Sequence, residues 1–516
     1  MEPPPGAPPP RNWFVSPWGR LKEPPPVAPA TLPPPDPATG LEPRSGDDRR
    51  QGDRRRSPRR QDEGPQAEEP RAEEHQAEDR PDTEHHPGRR WWVGLGAISV
   101  MGFAVRLATV LGRPNRTPGG DAYYFHYAAN LLVEGHGFID PWHYNAHPSQ
   151  IVQTADWPPL FVFVLAASSV VGFKSFFAHR VWCCVIGTAA ITVCGLTGRE
   201  IAGRRAGLIA AFLVAVYPNI WMSDELALSE TLSPLLVALV LLFAYRFWKR
   251  PGVRGALALG AVMGVAALGR DELALLIPLI LVPLSLLAKV QWRTRWACAG
   301  LGTLAALTVI APWVGYNMSR FEKPTFISSG LGITLASANC DQTWSGEFEG
   351  YWSLHCSLAA PIDKQADESV QSAQAQSYAV HYIKTHENRL LRVELARLGR
   401  AFGAFHPLAQ VSLDSYVETR PYRWALVGLG MYYLFVALSI GGLVLLRHRR
   451  VPIFPLLAIW LDVVATVLLS FGQTRYRTTF EVSLVLLSAV QLDWLWGRLR
   501  GERRGGGALT PVSIVP

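Results

Sequence analysis

Six cysteines in 516 residues are too few to build a disulfide scaffold, and the thirteen histidines include no H-E-x-x-H or similar ligand spacing. His126, His136, His143 and His147 are scattered through one polar stretch. There is no P-loop and no G-x-G-x-x-G, so a cytoplasmic nucleotide-binding module, and with it ATP-driven transport, has no support. The first thirty residues lack the apolar run of a secretory signal, so the N-terminal segment is expected in the cytoplasm. Residues 1 to about 88 lack apolar character altogether: Pro-rich "MEPPPGAPPP" gives way to mixed-charge "RSGDDRRQGDRRRSPRRQDEG". Such a composition cannot bury enough surface to offset its ordering entropy, and a disordered tail is expected over 1–88. Acids interleave with its arginines and no aromatic platform accompanies them, which argues against nucleic acid and for a solvated segment near anionic headgroups.

What the chain has from Trp91 onward is a series of apolar runs of about 18 to 25 residues, each able to cross a hydrocarbon core as a helix. Spans are expected at about 91–112, 177–197, 207–222, 228–246, 254–270, 272–288, 296–315, 422–446, 452–471 and 479–496. The segment "PPLFVFVLAASSVVGF" at 158–173 is short and opens on two prolines. Leaving it out of the count puts Arg89-Arg90, Arg199 to Arg205, Arg246 to Arg254, Lys289 to Arg295, Arg447 to Arg450 and Arg498 to Arg504 on one side, the cytoplasm. It therefore reads as an interfacial or re-entrant helix on the outer face. The expectation is an all-α polytopic membrane protein of about ten spans over 89–500. A first outer loop covers 113–176, a large outer loop 316–421, and a short cytoplasmic tail 501–516.

Several charged residues then stand at or near the edge of the lipid, or against the charge bias. Asp121 follows Gly119-Gly120 at the start of a helical pattern and reads either as a cap or as a reactive carboxylate held at the lipid edge. Glu230 falls about two turns inside an otherwise apolar span, where an acid costs about 2 to 3 kcal/mol. It is a site residue or one partner in an interhelical polar contact. Asp224 and Glu225 lie nearer the boundary as secondary acids, and Arg106 and Arg270 are placed to pair with acids or with an anionic headgroup. Arg475 and Arg477, in "GQTRYRT", stand on the outer side against the positive-inside bias, and an anionic ligand would explain them. Cys183, Cys184, Cys194 and Cys298 lie in spans, while Cys340 and Cys356 share the large outer loop and are expected to close a disulfide.

In order, "GGDAYYFHYAANLLVEGHGF", "WPPLFVFVL", "YPNIWMSDELALSETL", "GRDELALLIP", "APWVGYNMSRFEKPTFISSGLGITLASANC" and "TRYRTTFEVSLVLL" resemble the bacterial membrane glycosyltransferases related to protein O-mannosyltransferases and lipid A aminoarabinose transferases (glycosyltransferase family 39-like). That resemblance, over about 91–500, implies the GT-C fold. It implies transfer of a hexose or pentose from a polyprenyl-phosphate donor to a hydroxyl outside the cytoplasm, in the plasma membrane. Asp121 matches the family's first-loop acid, Glu230 the acid opening the fourth span, and Arg475-Tyr476-Arg477 the turn before the last span. Arg270-Asp271-Glu272 stands where the family has a proline-containing "RPE", and Glu322 interrupts a usual "RFG". The implied roles are catalysis by Asp121 and Glu230 and phosphate binding by Arg475, Arg477 and Arg270. The implied partners are the donor, membrane lipids, and a protein, lipid or cell-wall glycan acceptor, without nucleic acid. No cofactor is fixed by the sequence and a divalent metal is left open. The competing reading is a polytopic transporter or lipid flippase, which would place its charge near the bilayer midplane in paired repeats.

Overall fold

A computed structural model describes residues 87–501. The tail expected over 1–88 falls almost wholly outside the described residues, as do the residues after 501. Among the described residues the chain is helical, with one isolated antiparallel bridge between Ile139 and Gln153. In order the helices are α1 (Pro87–Leu111), α2 (Asp121–Val133), α3 (Pro141–Ala146), α4 (Leu160–Val170), α5 (Phe176–Ala202), α6 (Arg204–Val216), α7 (Pro218–Leu226), α8 (Ser233–Lys249), α9 (Val253–Gly269), α10 (Val282–Leu287) and α11 (Trp292–Met318). The outer-loop helices follow: α12 (Leu331–Ala338), α13 (Asp341–Trp344), α14 (Leu354–Ala359), α15 (Glu368–Thr385), α16 (Glu387–Ala401) and α17 (Pro407–Val417). The last three are α18 (Tyr422–His448), α19 (Phe454–Leu469) and α20 (Thr478–Leu499).

Among the described residues six helices are long and apolar enough to cross a membrane, or seven when α6 and α7, bent by 50° at Tyr217, are taken as one. The count of ten read from hydropathy is therefore not carried over. The segments at 254–270 and 452–471 form helices of 17 and 16 residues. The stretch at 272–288 is broken into a 3-10 turn, a π turn over Ile277–Leu281 and α10. Pro278 and Pro283 each lack an amide hydrogen, so a regular ladder cannot run through this stretch. The 158–173 segment forms α4, of 11 residues, too short to span as a straight helix.

The helix ends sort into two groups. At one end Trp91 Nε1 donates to the Arg204 carbonyl at 2.8 Å, Lys249 pairs with Glu200 at 2.8 Å, and the Tyr245 hydroxyl donates to the Pro452 carbonyl at 2.8 Å. This end carries the basic clusters, and Arg89, Arg90, Arg246, Lys249, Arg250, Arg447 and Arg498 are exposed there. The other end gathers the α1–α2 connection, the α7–α8 break, the end of α9, the outer-loop helices and the α19–α20 turn. Close backbone contact stiffens the bundle between the ends. A Cβ on Gly260 of α9 would stand 1.9 Å from the Gly302 carbonyl oxygen of α11, so these two helices pack with no side chain between them.

Candidate active site

Asp121 opens α2. Gly120 precedes it with φ 55°, a left-handed turn that glycine adopts without strain, and serves as the N-cap. The Asp121 side chain makes no capping bond; its Oδ2 instead accepts from Arg475 Nη1 at 2.6 Å, with the side chain 25% exposed. Glu230 sits in a 3-10 turn, Ser229–Thr231, in the break between α7 and α8, rather than two turns inside a span. Ala227, left-handed at φ 54°, ends α7 and makes the break. Glu230 is fully buried: its Oε1 accepts from Arg270 Nη1 at 2.9 Å and from Arg475 Nε at 2.8 Å, and its Oε2 has no partner.

Arg270 caps the C-terminal end of α9 in an extended conformation and also holds Glu272. Arg475 belongs to the 3-10 turn Thr474–Arg477 and lies 5.8 Å from the centroid of the Trp157 ring; Arg270 stands at the same distance from Tyr476. Four residues from four separate connections thus form one chain of charge: Asp121, Arg475, Glu230, Arg270.

Arg477 is not part of it. Two residues on in a tight turn its side chain leaves on another side, where Nε donates to Glu481 at 2.8 Å and Nη1 to the Ala401 carbonyl at 3.1 Å. Its guanidinium lies 3.6 Å from the Tyr432 ring centroid and is almost fully buried, so it is a packing cation, and we remove it from the phosphate-binding set. Asp224 is likewise internal, paired with buried Arg106 at 2.7 Å. Gly187 makes that pair fit, because a Cβ there would stand 2.1 Å from Asp224 Oδ2. Glu225 accepts from Arg116 at 3.0 Å and lies 3.5 Å from both Arg113 and Arg180. These two acids anchor connections around the cluster rather than joining it. Cys340 and Cys356 are disulfide-bonded with Cα atoms 5.7 Å apart, closing a loop that carries Glu349 and Tyr351.

Sequence reasoning passed over a second set beside Arg475. Glu418, after α17, accepts from Gln473 Nε2 at 2.5 Å and from Arg420. Gln473 in turn stands 3.4 Å from the Tyr351 hydroxyl. Burial pushes the Glu418 carboxyl up to about 7, against the cation of Arg420 and with the repulsion of Asp414. On the other flank, burial and the carboxylates of Glu368, Asp121 and Asp140 push Asp156 up to about 8. Glu368 Oε1 accepts from the Ala155 amide at 3.1 Å and from Ser329, tying α15 to the connection that presents Trp157. Charged residues are ordinary in a polar outer loop, and no spacing distinguished Glu418 or Arg420 from their neighbours.

Among the described residues no group of three or more His, Cys, Asp or Glu side chains is arranged to hold a metal. A divalent ion shared by Asp121 and Glu230 would have to displace Arg475 from between them.

With this geometry in hand, the family described as dolichyl-phosphate-mannose-protein mannosyltransferase matches residues 156–316, the stretch that carries "WPPLFVFVL", "YPNIWMSDELALSETL" and "GRDELALLIP". The match meets the motif-level resemblance to GT-C glycosyltransferases of the protein O-mannosyltransferase type. Among curated proteins, the chain is 28% identical over 166 residues to the dolichyl-diphosphooligosaccharide–protein glycosyltransferase subunit STT3B of Arabidopsis thaliana, and 30% identical over 164 residues to that of Oryza sativa subsp. japonica. Each alignment covers 30% of this chain and 22% of the relative, so the chain matches about a fifth of their length. Among solved structures, it aligns with an oligosaccharyltransferase of Archaeoglobus fulgidus at TM-score 0.48 and 14% identity, covering 82% of this chain and 53% of that one. It aligns with ArnT of Cupriavidus metallidurans bound to undecaprenyl phosphate at TM-score 0.38 and 13% identity, covering 78% of each.

Proposed function

We propose that the protein is a membrane glycosyltransferase that moves a sugar from a polyprenyl-phosphate donor to a hydroxyl on the non-cytoplasmic side. The observation that carries this reading is Arg475, a planar cation lying between Asp121 and Glu230 at the end of the bundle opposite the basic clusters. A polyprenyl phosphate is an anion anchored at the lipid surface, and a guanidinium at that level can hold it through forked donors. Arg475 is the first phosphate ligand and Arg270 the second, while Glu230 fixes both guanidinium groups from below.

Asp121 is the base. It is the most exposed acid of the chain of charge, and an incoming phosphate oxygen competes with it for Arg475, freeing Oδ2 to accept the acceptor's proton. The acceptor oxygen then attacks C1 of the sugar from the face opposite the phosphate. The C1–O bond to phosphate breaks, its electron pair leaves on the polyprenyl phosphate, and C1 is inverted. The acceptor is a protein, lipid or cell-wall glycan hydroxyl, and the sugar a hexose or pentose.

Purified protein in proteoliposomes, given a polyprenyl-phosphate sugar and a pool of candidate acceptors, tests this. Acceptor-dependent release of polyprenyl phosphate is the expected result. Donor movement across the bilayer without bond cleavage would instead establish the transporter reading.

A further inference from the structure

The phosphate site just described has an electrostatic difficulty. Arg475 is already bonded to Asp121 at 2.6 Å and to Glu230 at 2.8 Å, and Arg270 to Glu230 at 2.9 Å and to Glu272. Glu418, which is bonded to Gln473 two residues before Arg475 and feels the field of Arg475, has a side chain only 5% exposed, so water does little to screen its charge. Counting Asp121, Glu230, Glu272 and Glu418 against Arg270, Arg475 and Arg420 leaves the carboxylates in excess before any anion arrives. A phosphate entering there must either expel an acid or neutralise one.

The groups around Glu418 show which acid can be neutralised. On its own loop Arg420 holds it, buried, with one guanidinium nitrogen, Nη2, left without a partner. Asp414 of α17, which accepts from Gln410 Nε2 at 2.8 Å and from Thr474, repels it. Gln473 donates to it from the α19–α20 turn, and the fields of Arg475 and Glu230 reach it from the chain of charge. Tyr351 lies behind Gln473. Arg116 fastens the loop from the α1–α2 side by donating to the Thr419 carbonyl at 3.0 Å. Thr419 is left-handed at φ 56°, a conformation disfavoured for a non-glycine residue, so the loop is held in this shape by its neighbours. Glu230 is fixed by two arginines and Glu272 by one, whereas Glu418 shares its cation with Asp414.

Resting on the donor reading above, we propose that Glu418 is a positioning residue that takes up a proton as the lipid-linked phosphate binds, so that Arg475 meets the phosphate without a third carboxylate opposing it. The cation of Arg475 is one of the influences that hold the Glu418 proton affinity down, and a bound phosphate cancels it. With the free carboxyl titrating at about 7, the protein well below that pH already carries the proton and takes up none. Above it, binding draws a proton in, and donor affinity weakens as pH rises.

The test uses the full chain in nanodiscs and a polyprenyl methyl phosphodiester, whose single negative charge does not titrate near neutrality. Titration calorimetry at about pH 8, in buffers of different ionisation enthalpy, should give uptake of about half a proton or more per phosphodiester bound. Glu418→Gln should lose most of that uptake and flatten the pH dependence of Kd, while Glu418→Asp, which keeps a titrating acid, should retain both. A wild type that binds the diester with no proton uptake, or a Glu418→Gln variant with uptake unchanged, would overturn the inference and leave the transferase reading standing. A wild type that does not bind the diester would overturn both.

Discussion

The two ends of the helical bundle use the same residue types for opposite purposes. At the basic end, arginines and lysines such as Arg89, Arg250, Arg447 and Arg498 are exposed, and their value lies in where they stand relative to the membrane rather than in what they touch. At the other end Arg106, Arg270, Arg420, Arg475 and Arg477 are withdrawn from solvent, and each is bonded to at least one carboxylate. Exposed cations cost little and hold little. Buried ones must be compensated by neighbours, so their positions are fixed to within a hydrogen bond and can serve recognition.

Mutations at the two ends should therefore differ in kind. Arg475→Ala should weaken binding of a polyprenyl-phosphate sugar by about tenfold to a hundredfold, the value of a hydrogen bond to a charged group. Arg475→Lys, keeping charge but losing the fork, should fall between it and the wild type. Equilibrium binding in detergent reads both, with a thermal melt alongside to show that the protein remains folded. Cys356→Ser opens the loop closed by Cys340 and Cys356, 16 positions apart, and should lower stability by about 3 kcal/mol in the chain-entropy model, checked by denaturant unfolding of the oxidised and variant proteins. At the opposite end, Arg447→Gln removes an exposed charge and should leave turnover within experimental scatter of the wild type. A large loss there would break the division of labour between the ends.

Hydropathy and the arginine bias located nearly every helix of the bundle, because lipid permits few other structures and each apolar run must fold on itself. What they missed follows from local chemistry. The 272–288 run is apolar enough to span but carries prolines that break it, the 207–222 run bends at Tyr217, and the 254–270 and 452–471 runs form helices of 17 and 16 residues, so fewer than ten runs have the length of a straight spanning helix. Asp121 stood out because it follows two glycines at the start of a helical pattern, and Glu230, Arg270 and Arg475 because charge is costly or against the bias where they lie. Arg477 stood out for the same reason, but its direction out of a 3-10 turn, toward Glu481 and Tyr432, is a tertiary fact no spacing encodes. Glu418 and Arg420 were invisible for the converse reason. They belong to a polar loop where charge is cheap, and only folding carries them to Arg475.

Asp121 gives the most direct test, because two roles meet on it: it is Arg475's partner at rest and, in the proposed reaction, the base during transfer. In Asp121→Asn a competitor for Arg475 is neutralised while the base is lost. Donor Kd and transfer rate measured on the same preparation should therefore separate. Donor binding should be as tight as in the wild type or tighter, while transfer falls by about a hundredfold or more. Transfer at the wild-type rate, or a donor that no longer binds, would contradict the assignment of Asp121 as base beside an arginine-held phosphate.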